Sequence, residues 1–171
     1  MNKIVKKRFF SENVVQFVVE APEIARTRKA GNFVIIRLDE KGERVPLTIS
    51  EADTEKGTIT IVVQRIGVST YKLAALNEGD YIHDVVGPLG HPTHIFKAGT
   101  VLACGGGVGV APLLPIVQAF KEAGNRVVSI LAARNKDLIM QILELKDLNN
   151  RIKRLGFMGA RIIGAELERS L

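Results

Sequence analysis

Cysteine and tryptophan are nearly absent from this chain of 171 residues, which has one cysteine, Cys104, and no tryptophan. One thiol cannot form a disulfide within the chain. It also cannot supply the set of thiolates that an iron–sulfur cluster requires, or those of the usual structural zinc site. We therefore expect no iron–sulfur cluster in this chain.

Long apolar runs are also missing, and no stretch approaches the ~20 apolar residues of a membrane-spanning helix. The first ten residues, MNKIVKKRFF, contain no signal-peptide core. These absences favour a soluble cytoplasmic protein without a membrane partner. The net charge of +6 indicates either a basic-biased surface or an attraction for phosphates, nucleotides or an acidic partner. Its positive residues are scattered and not interleaved with aromatics, so nucleic acid is not expected as a partner. Many Lys, Glu, Arg, Ile and Val residues hint at a thermophilic source.

The first half of the chain is rich in β-forming residues separated by polar turns. Short strands at such spacing are typical of a barrel or sandwich. A helix is predicted from Ser69 or Thr70 to Leu76, and the segment GPLGHP is expected to end regular structure. The predicted strands are Lys3–Phe10, Val14–Glu20, Asn32–Leu38, Val45–Ser50, Thr58–Ile66 and Tyr81–Val86.

The pattern changes after Phe96. A short apolar strand at Thr100–Cys104 is followed by the glycine run GGGVG, a helix over Val110–Ala123 and a second strand at Arg126–Ala132. Strand, glycine turn, helix and strand form one βαβ unit of a parallel sheet. We therefore place a domain boundary near residues 95–99. In the tail, LIMQILELKDL could form a helix, and no second βαβ unit is evident.

The glycine run after the first of these strands is the most suggestive chemical feature. Glycines let a backbone approach a ligand closely, and the following helix presents free N–H groups suited to a pyrophosphate. Its spacing is not G-x-G-x-x-G, so the strict dinucleotide fingerprint is absent. Nucleotide binding and a tight turn needed for packing alone are equally good interpretations of the pattern.

Five motifs in order resemble those of the ferredoxin–NADP reductase superfamily. They are RVPLTIS (Arg44–Ser50), GVSTYKL (Gly67–Leu73), VVGPLG (Val85–Gly90), CGGGVGVAPLLPI (Cys104–Ile116) and AARNKDL (Ala132–Leu138). Within that superfamily the chain is similar to the branch containing the dihydroorotate dehydrogenase electron-transfer subunit. That branch also contains the small subunit of NADH-dependent ferredoxin–NADP oxidoreductase, often labelled sulfide dehydrogenase. The resemblance covers roughly residues 1–140.

The resemblance implies a six-stranded antiparallel β barrel that binds FAD in residues 1–97. A partial α/β domain for NAD(P), with a divergent tail, would follow in residues 98–171. Thr48 would bind near the flavin N5, while Pro46 and Leu47 would pack on the isoalloxazine. Leu47 stands where the superfamily has tyrosine, and Val45 takes the place of the usual arginine, which puts Arg44 one position earlier.

The phosphates of FAD would contact Gly67, Ser69 and Thr70, with Arg44 as a further candidate. The nicotinamide nucleotide would be admitted by the glycine run and Arg134; the glycines concerned are Gly105, Gly106, Gly107 and Gly109. NAD(P)H would then act as substrate, and no protein group would serve as a catalytic acid or base.

The implied function is an FAD-binding electron-transfer subunit that passes electrons between NAD(P)H and a larger oxidoreductase subunit or ferredoxin. Whether the chain is itself an enzyme stays open, because family members continue with further strands and a four-cysteine cluster motif. The alternative is a truncated, non-catalytic module that binds flavin or a partner. We expect the chain to be a shortened gene product with a stunted second domain.

Three further residues invite other interpretations. His91 and His94 are three apart, but no Asp, Glu or Cys lies near them at ligand spacing, which favours a structural role over a metal site. Cys104, beside the glycine run, is expected to be a small buried hydrophobe rather than a reactive thiol.

Overall fold

The computed structural model describes residues 1–133, 152–157 and 160–166. It divides the chain into two compact units, Met1–Thr93 and His94–Leu171. The sequence had suggested a division between residues 97 and 98. The helix expected in LIMQILELKDL falls outside the described residues.

The first unit is an antiparallel barrel, as predicted. Its strands lie in the order β6-β1-β2-β5-β4-β3-β7, and two short helices interrupt them. The expected strand Tyr81–Val86 is two strands, β6 and β7, which join opposite edges of the sheet because β6 pairs with β1 and β7 with β3. The elements are β1 (Asn2–Ser11), β2 (Val14–Glu20), α1 (Pro22–Thr27), β3 (Phe33–Arg37), β4 (Val45–Asp53), β5 (Thr58–Gln64), α2 (Val68–Ala75), β6 (Tyr81–Ile82) and β7 (Asp84–Leu89).

Two details of this unit differ from the sequence prediction. β7 continues through Gly87 and Pro88, where GPLGHP was expected to end regular structure, and Leu89 still pairs with Phe33. An edge strand tolerates proline because one side of its backbone needs no ladder hydrogen bond. The helix α1 was not predicted; Pro22 stands at its start, where a missing N–H costs nothing.

Alternation along the strands builds the core of the barrel. In β2 every second residue is buried, namely Val15, Phe17 and Val19. The same period of two gives Ile59, Ile61 and Val63 in β5, next to β2. Because successive side chains of a strand point to opposite faces, the residues between them lie on the outside of the barrel.

The second unit begins with the predicted strand, glycine turn, helix and strand. β8 (Thr100–Gly106) runs parallel to β9 (Arg126–Ala133), and between them a 3₁₀ turn at Gly107–Gly109 leads into α3 (Val110–Glu122). The tail adds β10 (Ile152–Phe157) and β11 (Ala160–Glu166), an antiparallel pair of which β11 also pairs with β9. The helix α3 covers one face, where Ala103, Val117 and Val127 form a cluster.

A search of the described helices for one long and apolar enough to cross a membrane finds none.

Candidate functional site

An apolar area lies on the outside of the barrel, across β4, β3 and β7. Pro46 pairs with Ile35, which pairs with Val86. Residues paired directly across strands point to the same face. Pro46 is exposed and Val86 retains 54% of its accessible surface, so this row of side chains is open to a ligand.

A second row runs beside the first. Thr48 pairs with Phe33, and Phe33 pairs with Leu89. All three are half-buried, and Thr48 brings the one hydroxyl into this area. We call the two rows together the platform: Phe33, Ile35, Pro46, Thr48, Val86 and Leu89.

The predicted flavin motif is split between the two faces of β4. Leu47 is half-buried and packs against the barrel core, as Val45 does, and Leu47 pairs with the fully buried Val34. Pro46 and Thr48 lie on the opposite face. The structure therefore brings Pro46 and Thr48 together on the platform and separates Leu47 from them.

An ion pair ties β3 to β7 at the other end of the platform. The Nε of Arg37 donates to Oδ2 of Asp84 at 2.7 Å, and Nη1 donates to the carbonyl oxygen of Glu40 at 2.9 Å. The Arg37 guanidinium holds the pKa of Asp84 below its ordinary value, and the hydrogen bond from His83 acts in the same direction. The same arginine thereby fixes the loop between β3 and β4, which leads to Arg44.

The start of α2 presents two hydroxyls with different partners. The Oγ1 of Thr70 accepts hydrogen bonds from the backbone N–H groups of Ile66 and Gly67, both at 3.0 Å. It also donates to the carbonyl oxygen of Gly67 at 2.8 Å. Thr70 is thus part of the helix cap. The Oγ of Ser69 instead donates to the carboxylate of Glu43 at 2.6 Å.

A cleft of about 220 Å³ lies between the β3–β4 loop and α2, and its walls include Glu43, Ser69, Lys41 and Lys72. Backbone N–H groups in the first turn of a helix have no partner within the helix and favour negative charge. Arg44 is exposed just before β4. The walls also include the carboxylates of Asp39 and Glu43, so the cleft sets two lysines and the positive end of a helix beside two acidic side chains.

The side chains around this helix start are unusually apolar for an exposed surface. Ile66 and Val68 retain 75% and 74% of their accessible surface. The guanidinium of Arg65 lies 4.7 Å from the ring centroid of Tyr71. An apolar and aromatic rim next to an anion-attracting helix end suits a ligand that carries both a ring and a phosphate.

The glycines of the turn in the second unit have different roles. A Cβ on Gly105 would meet Cδ2 of Leu113 at 2.8 Å, so this glycine is needed to pack α3 on β8. Gly107 has a φ of +54°, a conformation that favours glycine. Nothing lies within 4 Å of a Cβ built on Gly107 or Gly109, and Gly106 meets one carbonyl oxygen at 3.5 Å. These three border open space.

Two predictions about the second unit have different outcomes. Cys104 is exposed on the face of β8 opposite Ala103, so the expectation of a buried thiol was wrong. Arg134 lies outside the described residues. Within the ranges the structure describes, no three His, Cys, Asp or Glu side chains are grouped to hold a metal, and His94 stacks on Phe96.

Sequence reasoning missed part of the site. Phe33, Ile35, Val86 and Leu89 belong to the platform, yet they were not among the predicted residues. Their strand alternation was visible in the sequence, but the pairing that sets them beside Pro46 and Thr48 is long-range. Glu43, the partner of Ser69, was missed because it lies 26 residues away from it.

A near-closed antiparallel barrel with an exposed apolar platform beside a helix start, followed by a parallel strand–helix–strand, defines a nucleotide-cofactor module. The oxidoreductase FAD-binding domain model matches residues 2–94. The chain belongs to this family and carries its FAD-binding domain.

Similar proteins share more than this domain. The chain is 45% identical over 150 residues to a Thermotoga maritima homolog of the dihydroorotate dehydrogenase B (NAD(+)) electron transfer subunit, covering 88% of this chain and 53% of the relative. It is 33% identical over 142 residues to such a subunit from Bacillus cereus, covering 80% and 54%. The chain thus spans about half the length of these relatives.

Solved structures are similar to this chain as well. A chain from the NADH-dependent reduced ferredoxin–NADP oxidoreductase, solved in work on flavin-based electron bifurcation, is similar with a TM-score of 0.82 and 46% identity. That match covers 86% of this chain and 54% of the other. Phthalate dioxygenase reductase, at 20% identity and a TM-score of 0.63, shares the fold.

Proposed function

We propose that this chain is an FAD-binding electron-transfer subunit, passing electrons between NAD(P)H and a partner oxidoreductase subunit or ferredoxin. The observation that carries the proposal is the platform, an apolar area on the outside of the barrel in which Val86 retains 54% of its accessible surface, beside the positive end of α2. Monomeric proteins keep such areas open mostly for a ligand or a partner.

The platform suits the flat isoalloxazine ring. Pro46, Ile35 and Val86 offer apolar contact in one row, and the hydroxyl of Thr48 can both donate and accept at the polar edge of the ring. Leu47 supports this surface from the core side. In this proposal its backbone, rather than its side chain, borders the flavin.

The helix start suits the diphosphate. The first-turn N–H groups after Gly67 favour an anion, Lys41 and Lys72 line the cleft, and Arg44 is exposed just before β4. Ser69 donates to Glu43 in this structure, and in the proposal its hydroxyl exchanges that partner for a phosphate oxygen. Thr70 contributes indirectly, because its hydroxyl caps the turn that aims those N–H groups. A group with an apolar ring and a diphosphate therefore fits the residues present.

When bound, FAD supplies hydride and single-electron transfer, and the protein supplies orientation and electronic tuning. The chain's own contribution toward NAD(P)H is the turn at Gly106, Gly107 and Gly109, which leaves room for a nucleotide to approach the backbone, with Gly105 packing α3 behind it. Arg134 keeps its predicted role near the ribose or phosphate of that nucleotide.

The partner follows from the names of the relatives, which are electron-transfer subunits. We propose a larger oxidoreductase subunit as the first candidate and ferredoxin as the second. A cytoplasmic location, a thermophilic source and the lack of an iron–sulfur cluster in this chain stay predictions from its sequence.

The proposal is tested with a matched pair of variants. Val86→Asp puts a carboxylate on the platform, and Val5→Asp makes the same change on β1, where valine is 45% exposed. We expect Val86→Asp to weaken FAD binding by roughly tenfold or more, because covering an unpaired carboxylate with an apolar ring is costly. Flavin fluorescence titration gives both affinities, and Val5→Asp should match the unmodified chain.

Equal affinities in the two variants would remove the platform from the site. Failure of the unmodified chain to bind FAD would overturn the proposal as a whole. Rapid mixing of the FAD-loaded chain with NADH or NADPH then tests the second part of the proposal, electron transfer from NAD(P)H to the flavin. Bleaching of the flavin absorbance supports electron transfer from NAD(P)H, whereas FAD binding without bleaching supports the alternative of a non-catalytic flavin-binding module.

A further inference from the structure

We infer that Asn32 is a positioning residue for the flavin platform, setting the start of β3 against the end of β7 and the middle of β4. This inference rests on the proposed function, since it concerns the same FAD site. Asn32 directly precedes β3, and it retains 6% of its accessible surface. It is one of the few polar side chains buried in the barrel.

The side chain of Asn32 uses both ends of its amide. Its Oδ1 accepts a hydrogen bond from the backbone N–H of Lys29 at 2.8 Å. Its Nδ2 donates to the carbonyl oxygen of Leu89 at 3.1 Å and to that of Gly90 at 3.0 Å. The two donors of one amide group thus satisfy two carbonyl groups at the end of β7, 57 and 58 residues along the chain.

The backbone of Asn32 extends the link to β4. Its carbonyl oxygen accepts from the N–H of Ile49 at 3.2 Å, and its N–H donates to the carbonyl oxygen of Lys29 at 3.1 Å. One residue therefore contacts the end of β7 and the middle of β4 while it directly precedes β3. These are the three strands of the platform, and the row nearest to Asn32 is Thr48, Phe33 and Leu89.

The packing beside Asn32 leaves little tolerance for a shift of β7. A Cβ on Gly90 would lie 2.7 Å from Cε1 and 2.9 Å from Cδ1 of the Phe33 ring. A Cβ on Gly31 would lie 2.5 Å from Oγ1 of Thr93. The chain at Gly90 therefore passes the Phe33 ring with no room for a side chain, and the amide of Asn32 bonds the carbonyl groups of Leu89 and Gly90 beside that ring.

Few side chains can replace this amide. Aspartate keeps the acceptor for Lys29, but an ionised carboxylate has no N–H and would set an oxygen against two carbonyl oxygens. Serine is neutral and small, and it can donate at most one hydrogen bond. Both changes therefore leave at least one of these two carbonyl groups without its side-chain donor.

The test compares Asn32→Asp and Asn32→Ser with Asn125→Asp. Asn125 is an internal match, since it is also 6% exposed and its amide also donates to two carbonyl groups, while its Oδ1 accepts from two N–H groups where that of Asn32 accepts from one. Its partners, however, lie in the second unit. The chain is loaded with FAD at a temperature well below its unfolding midpoint, where circular dichroism shows every variant folded.

We expect Asn32→Asp to raise the Kd for FAD about tenfold and Asn32→Ser a few-fold, in proportion to the carbonyl groups left without donors. Asn125→Asp should stay within about twofold of the unmodified chain, because a loss of stability does not alter the Kd of a protein that remains folded. The visible absorption band of bound FAD should shift toward that of free FAD in the Asn32 variants. A merely structural role would not move this band.

The possible outcomes distinguish the inference about Asn32 from the proposed function. FAD binding by the unmodified chain, with unchanged Kd and spectrum in folded Asn32 variants, overturns the inference and leaves the proposed function standing. No FAD binding by the unmodified chain overturns the proposed function itself. If neither Asn32 variant folds while Asn125→Asp does, Asn32 serves stability of the barrel and the inference is wrong.

Discussion

Among the described residues, a buried asparagine links separate segments in each unit of the molecule, but the two asparagines hold different segments. Asn32 joins the end of β7 to the middle of β4, two strands that carry the platform. Asn125 joins the segment entering β8, through Ala98 and Gly99, to the end of α3. In the barrel the fastening therefore lies at the proposed binding surface, whereas in the second unit it lies at the start of the parallel sheet. The same kind of amide hydrogen bonding thus lies at the proposed FAD site in the barrel and at the first strand of the parallel sheet in the second unit.

The cores of the two units differ in a related way. The curved sheet of the barrel surrounds most of its interior, where Phe17 is fully buried and Ile61 retains 1% of its surface. In the second unit α3 packs on one face of β8, and Leu102 on the other face retains 62%. The barrel therefore buries its core residues more completely, and β3 and β4 of the platform contribute Val34 and Ile49 to that core.

The largest expected effect comes from truncating one core side chain in each unit. Phe17→Ala should destabilise the barrel by about 3–5 kcal/mol, because it removes a fully buried ring. Val127→Ala, in the second unit, should cost about 2 kcal/mol for its two lost methyl groups. Thermal unfolding followed by circular dichroism, with FAD titration, measures both. Phe17→Ala should lower the fraction of folded barrel and with it the apparent FAD affinity, whereas Val127→Ala should keep an affinity near that of the unmodified chain. Equal losses in the two variants would contradict the contrast.

A smaller effect is expected at two glycines with nearly the same backbone conformation. Gly90 has a φ of +80° and its Cβ position lies against Phe33, whereas Gly99 has a φ of +87° with nothing within 4 Å. Alanine at either position strains the backbone by about 1–2 kcal/mol. At Gly90 crowding adds about 1–3 kcal/mol, the usual cost of overpacking.

Denaturant unfolding of Gly90→Ala and Gly99→Ala gives the difference directly. We expect Gly90→Ala alone to weaken FAD binding as well, since the Phe33 ring must move and Phe33 belongs to the platform. If the two variants lose the same stability and keep the same affinity, the crowding at Gly90 is not important for the site.

Much of the barrel was predictable, because its strands alternate apolar and polar residues with a period of two. β2 and β5 match the predicted strands within about two residues. The break at His83 was not predictable, since it depends on which edge of the sheet each half joins. Nothing local in the sequence distinguishes pairing with β1 from pairing with β3.

The site was predictable as motifs but not as a surface. Pro46, Leu47 and Thr48 are consecutive, and only the orientation of β4 shows that Leu47 faces the core. Asn32 could not be identified from its neighbours, because its hydrogen-bond partners lie 57 and 58 residues away. The glycine run was correctly placed between strand and helix, yet packing against Leu113 was needed to separate Gly105 from the others.

The smallest expected effect concerns charge and depends on pH. Arg37 holds the pKa of Asp84 below its ordinary value, so the folded barrel favours the ionised carboxylate. The stability gained is present above about pH 4, the ordinary pKa of aspartate, and is lost as the pH falls through the lower pKa of the folded state. Asp84→Asn lacks this contribution. Its unfolding midpoint should therefore lie below that of the unmodified chain at pH 7, and the gap should close in strongly acidic solution.

The control for this change lies in the second unit, where Glu122 is exposed in the last turn of α3. Glu122→Gln removes the same charge, and its unfolding midpoint should show no difference from the unmodified chain that disappears in acid.

The size of the Asp84 effect should be modest, since its side chain is 35% exposed and water screens such pairs. Asp84→Asn also weakens the hold of Arg37 on β7, next to Val86 of the platform, so FAD affinity should fall slightly at pH 7. A gap that persists unchanged at low pH would mean that the hydrogen-bond geometry, rather than the charge, joins β3 to β7.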